Sequence, residues 1–430
     1  MKKKKPRKKH SNFILPFCIT LAFALAVGLF GIFSYLWYHS ETDADVQNQS
    51  PVREVIAVIP KENDKEENNK EENNREQDKQ EPDTLPSGKY ADILQDEEYM
   101  EANRIYAKEA ADADCVTITF AGDILLDPNY AVTATLIQNG GDINKAIAPD
   151  LIAEMQAADI MMLNNEFTYS NRGEPLEEKQ FTFRAKPAYV SYLYDLGVDI
   201  VSLANNHTYD YGEEAFLDTL QTLKDAGMPF VGAGENLEEA SAPVYFIAND
   251  IKIAFVSATQ IERLDNPDTK GATESTPGVF RCWNVEKLLQ TVEKAKTESD
   301  FVIVYIHWGT ENQEEIDWAQ DKQAREIVEA GADLIIGDHP HVLQKIEIIN
   351  GVPVIYSLGN FWFNSRPIDT GMVKVTLTEE GLQSYQFIPC LQSNCRTTLL
   401  SGEEKERVLG EMRRMSEGVQ IDADGYVALP

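Results

Sequence analysis

The sequence predicts a layered α/β fold, and two patterns carry that prediction. Short apolar, β-branched-rich runs recur along the chain, beginning at Val116, Ala158, Val198, Ile251, Phe301, Leu334 and Val354. Runs of this kind are typical of strands that are buried on both faces. Amphipathic stretches such as residues 213–226 and 317–330 separate many of them. Strand–helix–strand repetition of this kind predicts an α/β sandwich in which helices cover the sheets.

The first part of the chain predicts a membrane anchor followed by a spacer. Residues 1–12 form a basic tail, and residues 13–38 carry no charge over a length greater than the ~20 residues that a membrane helix needs. Because basic flanks stay in the cytoplasm, we expect a single-pass protein of the cell membrane with an extracellular domain. A cleaved signal peptide is the alternative, but a small-residue cleavage site is missing after the run. Residues 39–88 are a charged, low-complexity linker that we expect to be disordered.

The remainder of the chain divides into three predicted parts. Residues 89–114 are expected to form a helix that leads into the main domain at residues 115–390, and residues 391–430 to form a C-terminal helix and tail. The five cysteines include no Cys-x-x-Cys pair, which argues against a cysteine-rich zinc site. Cys390 and Cys395 are close enough in sequence to form a disulfide, and two independent thiols are equally compatible with the spacing.

The charge of the chain limits its partners. The sequence has 71 acidic and 39 basic residues, which gives a formal net charge of −32. A chain this acidic repels nucleic acid phosphates, so we exclude DNA and RNA as partners. The same charge is compatible with cation binding and with a solvated extracellular surface.

The histidines indicate where the chemistry lies. Four of the six directly follow apolar runs, namely His207, His307, His339 and His341. Neutral imidazole is the commonest protein ligand for transition metals. We expect His339 and His341 to lie on extended backbone at a strand end, where two-residue periodicity points both rings to one side. The alternative is that each histidine caps an element or belongs to the core.

Other polar side chains also follow the predicted strands. Asp123, Glu166 and Asn206 stand at the carboxyl ends of three such runs, the edge at which open α/β sheets bind ligands. Together with the histidines they form an oxygen and nitrogen set that suits Mn²⁺, Fe²⁺ or Zn²⁺. The set is large enough for one or two divalent ions, and a pair of ions sharing a carboxylate can catalyse phosphoryl or acyl transfer.

Six ordered motifs resemble a known family. They are Phe120–Asp123, Asn165–Phe167, Ala204–His207 with Asp210 and Gly212, His307–Gly309 with Glu311, His339–Gln344, and Ser357–Phe361. These motifs resemble the bacterial capsule-synthesis family of the CapA/PgsA type. That family is associated with poly-γ-glutamate capsules and is related to calcineurin-like metallophosphoesterases. The resemblance covers about residues 116–388 and implies a metallophosphoesterase-like αββα sandwich.

The resemblance also implies roles for individual residues. The implied metal ligands are Asp123, Glu166, Asn206, His307, His339 and His341. His207 resembles the histidine that contacts substrate and acts as an acid, and Asp210 belongs to the same catalytic motif. Arg184, Asn205 and Asn360 are the candidate substrate-binding residues, since Arg offers a forked contact to phosphate or carboxylate. Two departures are that Leu125 replaces a usual histidine and that Glu166 stands in for the usual bridging aspartate.

The resulting hypothesis is a membrane-anchored, extracellular, metal-dependent protein of capsule polymer synthesis or export. Its hydrolase-like site would act on a phosphoester or on a γ-glutamyl amide of an acidic polymer, and its partners would be capsule-synthesis membrane proteins. Two alternatives stay open. The chain could be a non-catalytic assembly factor of the capsule machinery, or a metal-dependent phosphoesterase unrelated to capsules, because fold does not fix substrate.

Overall fold

The structure is a computed structural model, and it describes residues 88–177, 179–261 and 269–429. The predicted membrane anchor and almost all of the predicted linker lie on residues 1–87, outside the described residues. Within the described ranges, no helix combines the length and apolar character needed to cross a bilayer.

The strands of the described domain run from Ile105 to Leu399. In chain order they are β1 (Ile105–Ala107), β2 (Val116–Ile124), β3 (Ile160–Asn165), β4 (Thr168–Tyr169), β5 (Arg184–Ala185), β6 (Ile200–Ser202), β7 (Phe230–Val231), β8 (Ala233–Gly234), β9 (Val244–Ala248), β10 (Ile251–Thr259), β11 (Gly278–Val279), β12 (Phe301–His307), β13 (Leu334–Asp338), β14 (Ile346–Ile349), β15 (Val352–Ile355), β16 (Asn360–Trp362), β17 (Ile368–Thr378), β18 (Gly381–Ser393) and β19 (Arg396–Leu399).

The α-helices lie before, between and after these strands. They are α1 (Ala91–Leu94), α2 (Glu97–Ala102), α3 (Ala131–Gln138), α4 (Pro149–Gln156), α5 (Ser191–Asp195), α6 (Gly212–Ala226), α7 (Leu237–Ser241), α8 (Glu286–Glu298), α9 (Trp318–Glu329) and α10 (Gly402–Met415). Short 3₁₀ turns occupy Ile143–Lys145 and Pro187–Val190. The alternation of strands and helices confirms the predicted α/β class.

Two large sheets form the centre of the domain. The strand order is β1-β9-β10-β12-β13-β15-β14 in the first sheet and β19-β18-β17-β2-β3-β6-β7 in the second, with β16 beside β2. In the first sheet β10, β12, β13 and β15 are parallel, and in the second β2, β3, β6 and β7 are parallel. Parallel strands bring their carboxyl ends to one edge of a sheet, so the polar residues that follow them can meet.

The cores follow from the two-residue period of the strands. Along β12, Ile303 and Tyr305 face the second sheet, whereas Val302, Val304 and Ile306 face helices α8 and α9. A third apolar cluster lies between the second sheet and helices α3 to α6. The domain is therefore built of two sheets packed face to face with helices on both outer faces.

Local sequence signals explain individual helices. Helix α9 starts with a capping box, in which Asp317 accepts from the backbone of Gln320 and the Gln320 side chain accepts from the backbone N–H of Asp317. Helix α6 ends at Gly227, whose φ of 71° is the left-handed conformation that favours glycine. These caps fix the ends of two helices that begin near the polar edge of the sheets.

The leading segment differs from its prediction. Instead of one helix over residues 89–114, α1 and α2 end at Ala102 and the chain continues as strand β1, parallel to β9. Arg104 has a φ of 55° and donates to the backbone carbonyls of Phe230, Glu239 and Ala242. These tertiary contacts stop the helix and seat the chain on the edge of the first sheet, which local helix propensity cannot anticipate.

The C-terminal boundary also differs from its prediction. Residue 390 lies inside β18, which continues to Ser393 and turns into β19 in the same sheet. Cys390 and Cys395 are free thiols, so the disulfide that their spacing allows is not formed in this structure. Cys390 pairs with Leu399 across the hairpin, whereas Cys395 lies in the turn with a φ of 61°. The domain therefore includes residues that the sequence assigned to the tail.

Candidate metal centre

Strand ends from both sheets supply the polar cluster. Asp123 lies in β2 and is opposite Asn360 of β16, while His307 and Asp338 are register partners at the ends of β12 and β13. Asp123, Glu166, His307 and Asp338 are almost completely buried. The predicted meeting of strand-end residues therefore occurs, with one half of the set from each sheet.

The His339–His341 turn does not have the predicted extended backbone. His339 has a φ of 91° and His341 a φ of 61°, a region that residues other than glycine rarely adopt. The turn sends the two rings to different neighbours. Nδ1 of His339 lies 3.0 Å from Nε2 of His307, and Nδ1 of His341 lies 3.2 Å from Oδ2 of Asp123. Backbone strain of this kind clusters at functional sites.

The cluster contains three overlapping sets of possible metal ligands, and two of them share one carboxylate. These two are Glu166, His307 and His339, and Asp123, Glu166 and His341; the third is Asp123, His307 and Asp338. Within each set the ligand atoms lie within 4.8 Å of one another. Oε1 of Glu166 is buried and has no hydrogen-bond partner among the described residues. An unpartnered buried carboxylate oxygen is costly unless a cation or proton meets it. The residues therefore fit one or two divalent ions, with Glu166 between them.

Asp338 orients His307 within the first set. Oδ1 of Asp338 lies 2.8 Å from Nδ1 of His307, on the side of the ring away from Nε2. If Nδ1 donates to the carboxylate, Nε2 presents a lone pair to Oδ1 of Asn206, 2.7 Å away. Two acceptor atoms that converge at this distance favour a cation between them. A carboxylate behind a ligating histidine is a common device for fixing its tautomer.

The cluster buries three carboxyl groups close together, and their negative charges affect one another's pKa. Burial, and next the charges of Asp123 and Asp338, raise the pKa of Glu166 well above its usual value. Burial and the charge of Asp123 also raise the pKa of Asp338. Burial alone would raise the pKa of Asp123, but its hydrogen bond with His341 and the charge of that ring hold it below the usual value.

The histidines respond in the opposite sense. Burial lowers the pKa of His307 to about 3 and that of His339 well below its usual value. For His341, the contacts with Asp123 outweigh burial and raise the pKa. His307 and His339 are therefore neutral at physiological pH, which is the protonation state in which imidazole binds a metal.

His207 lies beside the metal ligands and is held by Asp210. Nδ1 of His207 is 2.7 Å from Oδ2 of Asp210, and Nε2 is 3.9 Å from Oε1 of Glu166. Burial and then the charge of Lys179 lower the pKa of His207 well below its usual value. The neutral ring with Nδ1–H on Asp210 would therefore offer Nε2 as a proton acceptor, whereas the family resemblance implied a proton donor.

The three candidate substrate-binding residues have different surroundings. Asn205 donates to Oδ1 of Asn164 and accepts from the backbone N–H of His207, so it shapes the turn that carries His207. Oδ1 of Asn360 lies 2.8 Å from Nδ1 of His341. The guanidinium of Arg184 donates to the carbonyls of Arg172 and Gly173 and lies 4.1 Å from the Tyr211 ring centroid. A substrate role for these residues stays a prediction.

Three further residues at the site escaped the sequence analysis. Asp338 stands next to His339 at the carboxyl end of a strand. The argument that selected Asp123, its place at the end of a predicted strand, could have found Asp338 as well. Asn164 donates to Asp123 and lies one residue before the Asn165–Phe167 motif. Lys179 lies in a long loop where no spacing marks it. Leu125, at the position of the missing histidine, is buried in an apolar cluster and contributes no ligand.

Comparison with known proteins identifies similar chains. A family model described as "Bacterial capsule synthesis protein PGA_cap" matches residues 117–365. The PGA biosynthesis protein CapA of Bacillus subtilis (strain 168) is 31% identical over 284 residues, which cover 64% of this chain and 71% of that protein. The capsule biosynthesis protein CapA of Bacillus anthracis is 32% identical over 247 residues, which cover 55% of this chain and 58% of that protein.

A more distant relative and a solved structure are also similar to this chain. A probable polyglutamine synthesis accessory protein of Mycobacterium tuberculosis (strain CDC 1551 / Oshkosh) is 26% identical over 295 residues, covering 63% of this chain and 76% of that protein. The crystal structure of a 5′-nucleotidase from Candida albicans SC5314 superposes with a TM-score of 0.34 at 10% identity, covering 66% of this chain and 53% of that chain. A TM-score this low carries no argument about fold or activity.

Proposed function

This chain belongs to the bacterial capsule synthesis protein family PGA_cap, and from that membership we propose that it is a metal-dependent, hydrolase-like protein of capsule polymer synthesis or export. The observation that carries the metal part of the proposal is the shared carboxylate of Glu166. It is shared by two sets of buried or partly buried ligands, and one of its oxygens has no partner in the described chain. A binding site for divalent cations accounts for both features.

The protein residues would hold and orient the reacting groups. Glu166, His307, His339 and Asn206 would hold one ion, and Asp123, Glu166 and His341 a second. A divalent ion bound there would supply Lewis acidity toward a phosphoryl or acyl oxygen. His207 would exchange a proton with the reacting group through Nε2, because Asp210 occupies Nδ1.

The substrate class follows from the relatives and from the chemistry of the site. Two relatives are named for PGA or capsule biosynthesis, and a third for polyglutamine synthesis. An acidic polymer with γ-glutamyl amide bonds, or a phosphoester intermediate of its export, is the substrate that we propose. Its partners would be the membrane proteins of the capsule machinery.

The proposed location rests on the sequence before residue 88. Residues 13–38 have the length and apolar character of a signal anchor, and the basic tail before them favours a cytoplasmic N terminus. We propose that the domain works outside the cell, at the membrane, where a capsule polymer would emerge. Protease treatment of intact cells should remove the domain and leave the N-terminal tail protected; a protected domain would contradict this location.

Metal analysis of purified protein tests the binding site without any substrate. The full-length chain loaded with Mn²⁺ should retain at least one ion per chain after desalting. The His339→Ala/His341→Ala double variant should lose bound metal, because both donor sets that contain Glu166 then lose a histidine. As a matched control, His39→Ala removes a histidine that belongs to none of the motifs with candidate ligands. This variant should leave the metal content unchanged. Unchanged metal content in the double variant would reject the site.

Turnover assays then separate an enzyme from an assembly factor. Metal-loaded protein is incubated with a generic phosphodiester and, separately, with poly-γ-glutamate. The proposal predicts cleavage of at least one of them, and loss of cleavage in His207→Ala.

A non-catalytic assembly factor is the second candidate, and the buried Leu125 favours it because one expected ligand is missing. No turnover of either compound, together with normal capsule production by a His207→Ala strain, would support that candidate.

A further inference from the structure

Lys179 is a buried cation that the proposed chemistry does not yet use. Its side chain is only 7% exposed, and it lies in the loop between β4 and β5. Nζ of Lys179 pairs with Oδ1 of Asp210 at 2.5 Å and also donates to the backbone carbonyl of Asn206. Burying an ammonium group is costly unless it is paired, so a surface loop rarely sends a lysine inward without a reason.

Asp210 is surrounded by groups that need it as an acceptor. Lys179 donates to Oδ1, and the backbone N–H of Phe183 donates to Oδ2 at 2.7 Å. Nδ1 of His207 lies 2.7 Å from the same Oδ2. The carboxyl side chain is completely buried. An ionised carboxylate can accept from all three neighbours, whereas a protonated carboxyl group would have to place its own O–H among these donors.

We propose that Lys179 is a positioning residue that keeps Asp210 an acceptor, so that Asp210 holds His207 with Nδ1–H toward itself and Nε2 toward Glu166. The proposal deepens the proposed function, on which it rests for the role of His207. It adds a third member, contributed by a loop far away in sequence, to the His207–Asp210 pair.

The charge of Lys179 decides which nitrogen of His207 carries the proton. Without the ammonium group, burial favours the protonated carboxylic acid at Asp210. A carboxylic acid can donate its O–H to Nδ1 of His207, which moves the ring proton to Nε2. Nε2 would then carry the ring proton, and its N–H would point toward Glu166 and the metal ligands. Because Nε2 would have no free lone pair, it could not accept a proton from a reacting group.

A simpler alternative is that Lys179 only fastens its loop to the domain. The same loop has a second anchor, because Arg172 pairs with Glu214 and Asp218 on helix α6. Arg172 makes no contact with Asp210 or His207 within the described chain. Loss of either anchor should loosen the loop, but only loss of Lys179 should move the proton on His207. Arg172→Met is therefore a matched control on the same loop.

Histidine NMR of the full-length chain, labelled with ¹⁵N only at histidine, tests the proposal. His207 is assigned from a His207→Gln variant, and the protonated nitrogen is read from its coupling to the ring protons. The wild type and Lys179→Arg should carry the His207 proton on Nδ1, and Lys179→Met should carry it on Nε2. Arg172→Met should resemble the wild type. A Lys179→Met spectrum with the proton still on Nδ1 would overturn the proposal.

A second measurement keeps the proposal testable if Lys179→Met folds poorly. Lys179→Gln keeps a hydrogen-bond donor but carries no charge, so it should also carry the His207 proton on Nε2; a proton that stays on Nδ1 would overturn the proposal. Where Lys179→Met and Asp210→Asn both fold, Lys179→Met should lower the Tm at least twice as much in the wild type as in Asp210→Asn. Equal losses in both backgrounds would show loop fastening alone. These readouts need no substrate, so absence of turnover would count against the proposed function and not against this inference.

Discussion

Replacing Glu166 by glutamine should change the stability of the domain in opposite directions with and without metal. Glu166 is completely buried, Oε1 lacks a partner among the described residues, and its carboxylate lies within 4.8 Å of that of Asp123. At an effective dielectric constant of ~20, two charges at that separation repel by about 3 kcal/mol. Glu166→Gln removes this repulsion and keeps the shape of the side chain.

The wild type can also avoid the repulsion by protonating Glu166, and the cost of that protonation limits the stability that Glu166→Gln can gain. The usual pKa of a glutamate is 4.5, so protonating the group at pH 7 costs about 3 kcal/mol. Metal-free Glu166→Gln should therefore be more stable than the wild type by up to about 3 kcal/mol, a rise in Tm on the order of 5 °C. With Mn²⁺, the wild type should gain stability by binding, and the variant should lose most of that gain because Glu166 belongs to two of the three ligand sets.

Thermal unfolding of the full-length chain in EDTA and in Mn²⁺ measures both effects. Glu347→Gln is the matched control, because Glu347 pairs with Lys345 and Arg325 and these contacts lower its pKa against the effect of burial. That variant should be slightly less stable than the wild type in both buffers. The reasoning is refuted if Glu166→Gln lowers the Tm of the metal-free protein, or if its Mn²⁺-induced rise equals that of the wild type.

Three further predictions follow from the same geometry. Asp338→Asn should weaken Mn²⁺ binding about 10- to 100-fold without changing the number of ions bound, because it disturbs the orientation of His307; a lost ion in calorimetric titration would instead make Asp338 a direct ligand. The pKa of the shared glutamate is raised in the folded protein, so its contribution to metal-free stability is complete below pH 4.5 and is lost as pH rises through the raised value. The metal-free wild type should therefore lose Tm relative to the glutamine variant as pH rises from 5 to 8, while Mn²⁺ affinity increases; a pH-independent difference in Tm would be inconsistent with a raised pKa. Gly122→Ala should destabilise the domain by about 2 kcal/mol or more, because its Cβ would lie 2.0 Å from the Gly359 carbonyl oxygen, whereas Gly410→Ala in helix α10 meets open space and should be neutral or stabilising in urea unfolding.

The sequence predicted which strand-end side chains meet better than it predicted the backbone that carries them. Asp123, Glu166 and His307 are strand-end residues, and parallel strands bring such residues together in any sheet of this class. The conformation of His339 and His341 was not predictable in the same way. Their positive φ angles are imposed by contacts with Asp123, His307 and other residues far away in sequence.

The misplaced elements share a tertiary cause. Residues 105–107 became a strand because they pair with the edge of β9. Helix α2 ends before Arg104, whose guanidinium donates to three distant carbonyls. Lys179 was overlooked for a related reason. A loop lysine has no periodicity that marks it as buried, and only the folded structure shows that it lies against Asp210.

The central claim is that the cluster around Glu166 binds a divalent cation. Crystals of the protein grown with Mn²⁺, with anomalous diffraction measured at the manganese absorption edge, locate such an ion directly. The account predicts a strong anomalous peak bounded by Glu166, His307 and His339, with or without a second peak beside Asp123 and His341. A map in which manganese is bound elsewhere, while these side chains contact only one another, would contradict it.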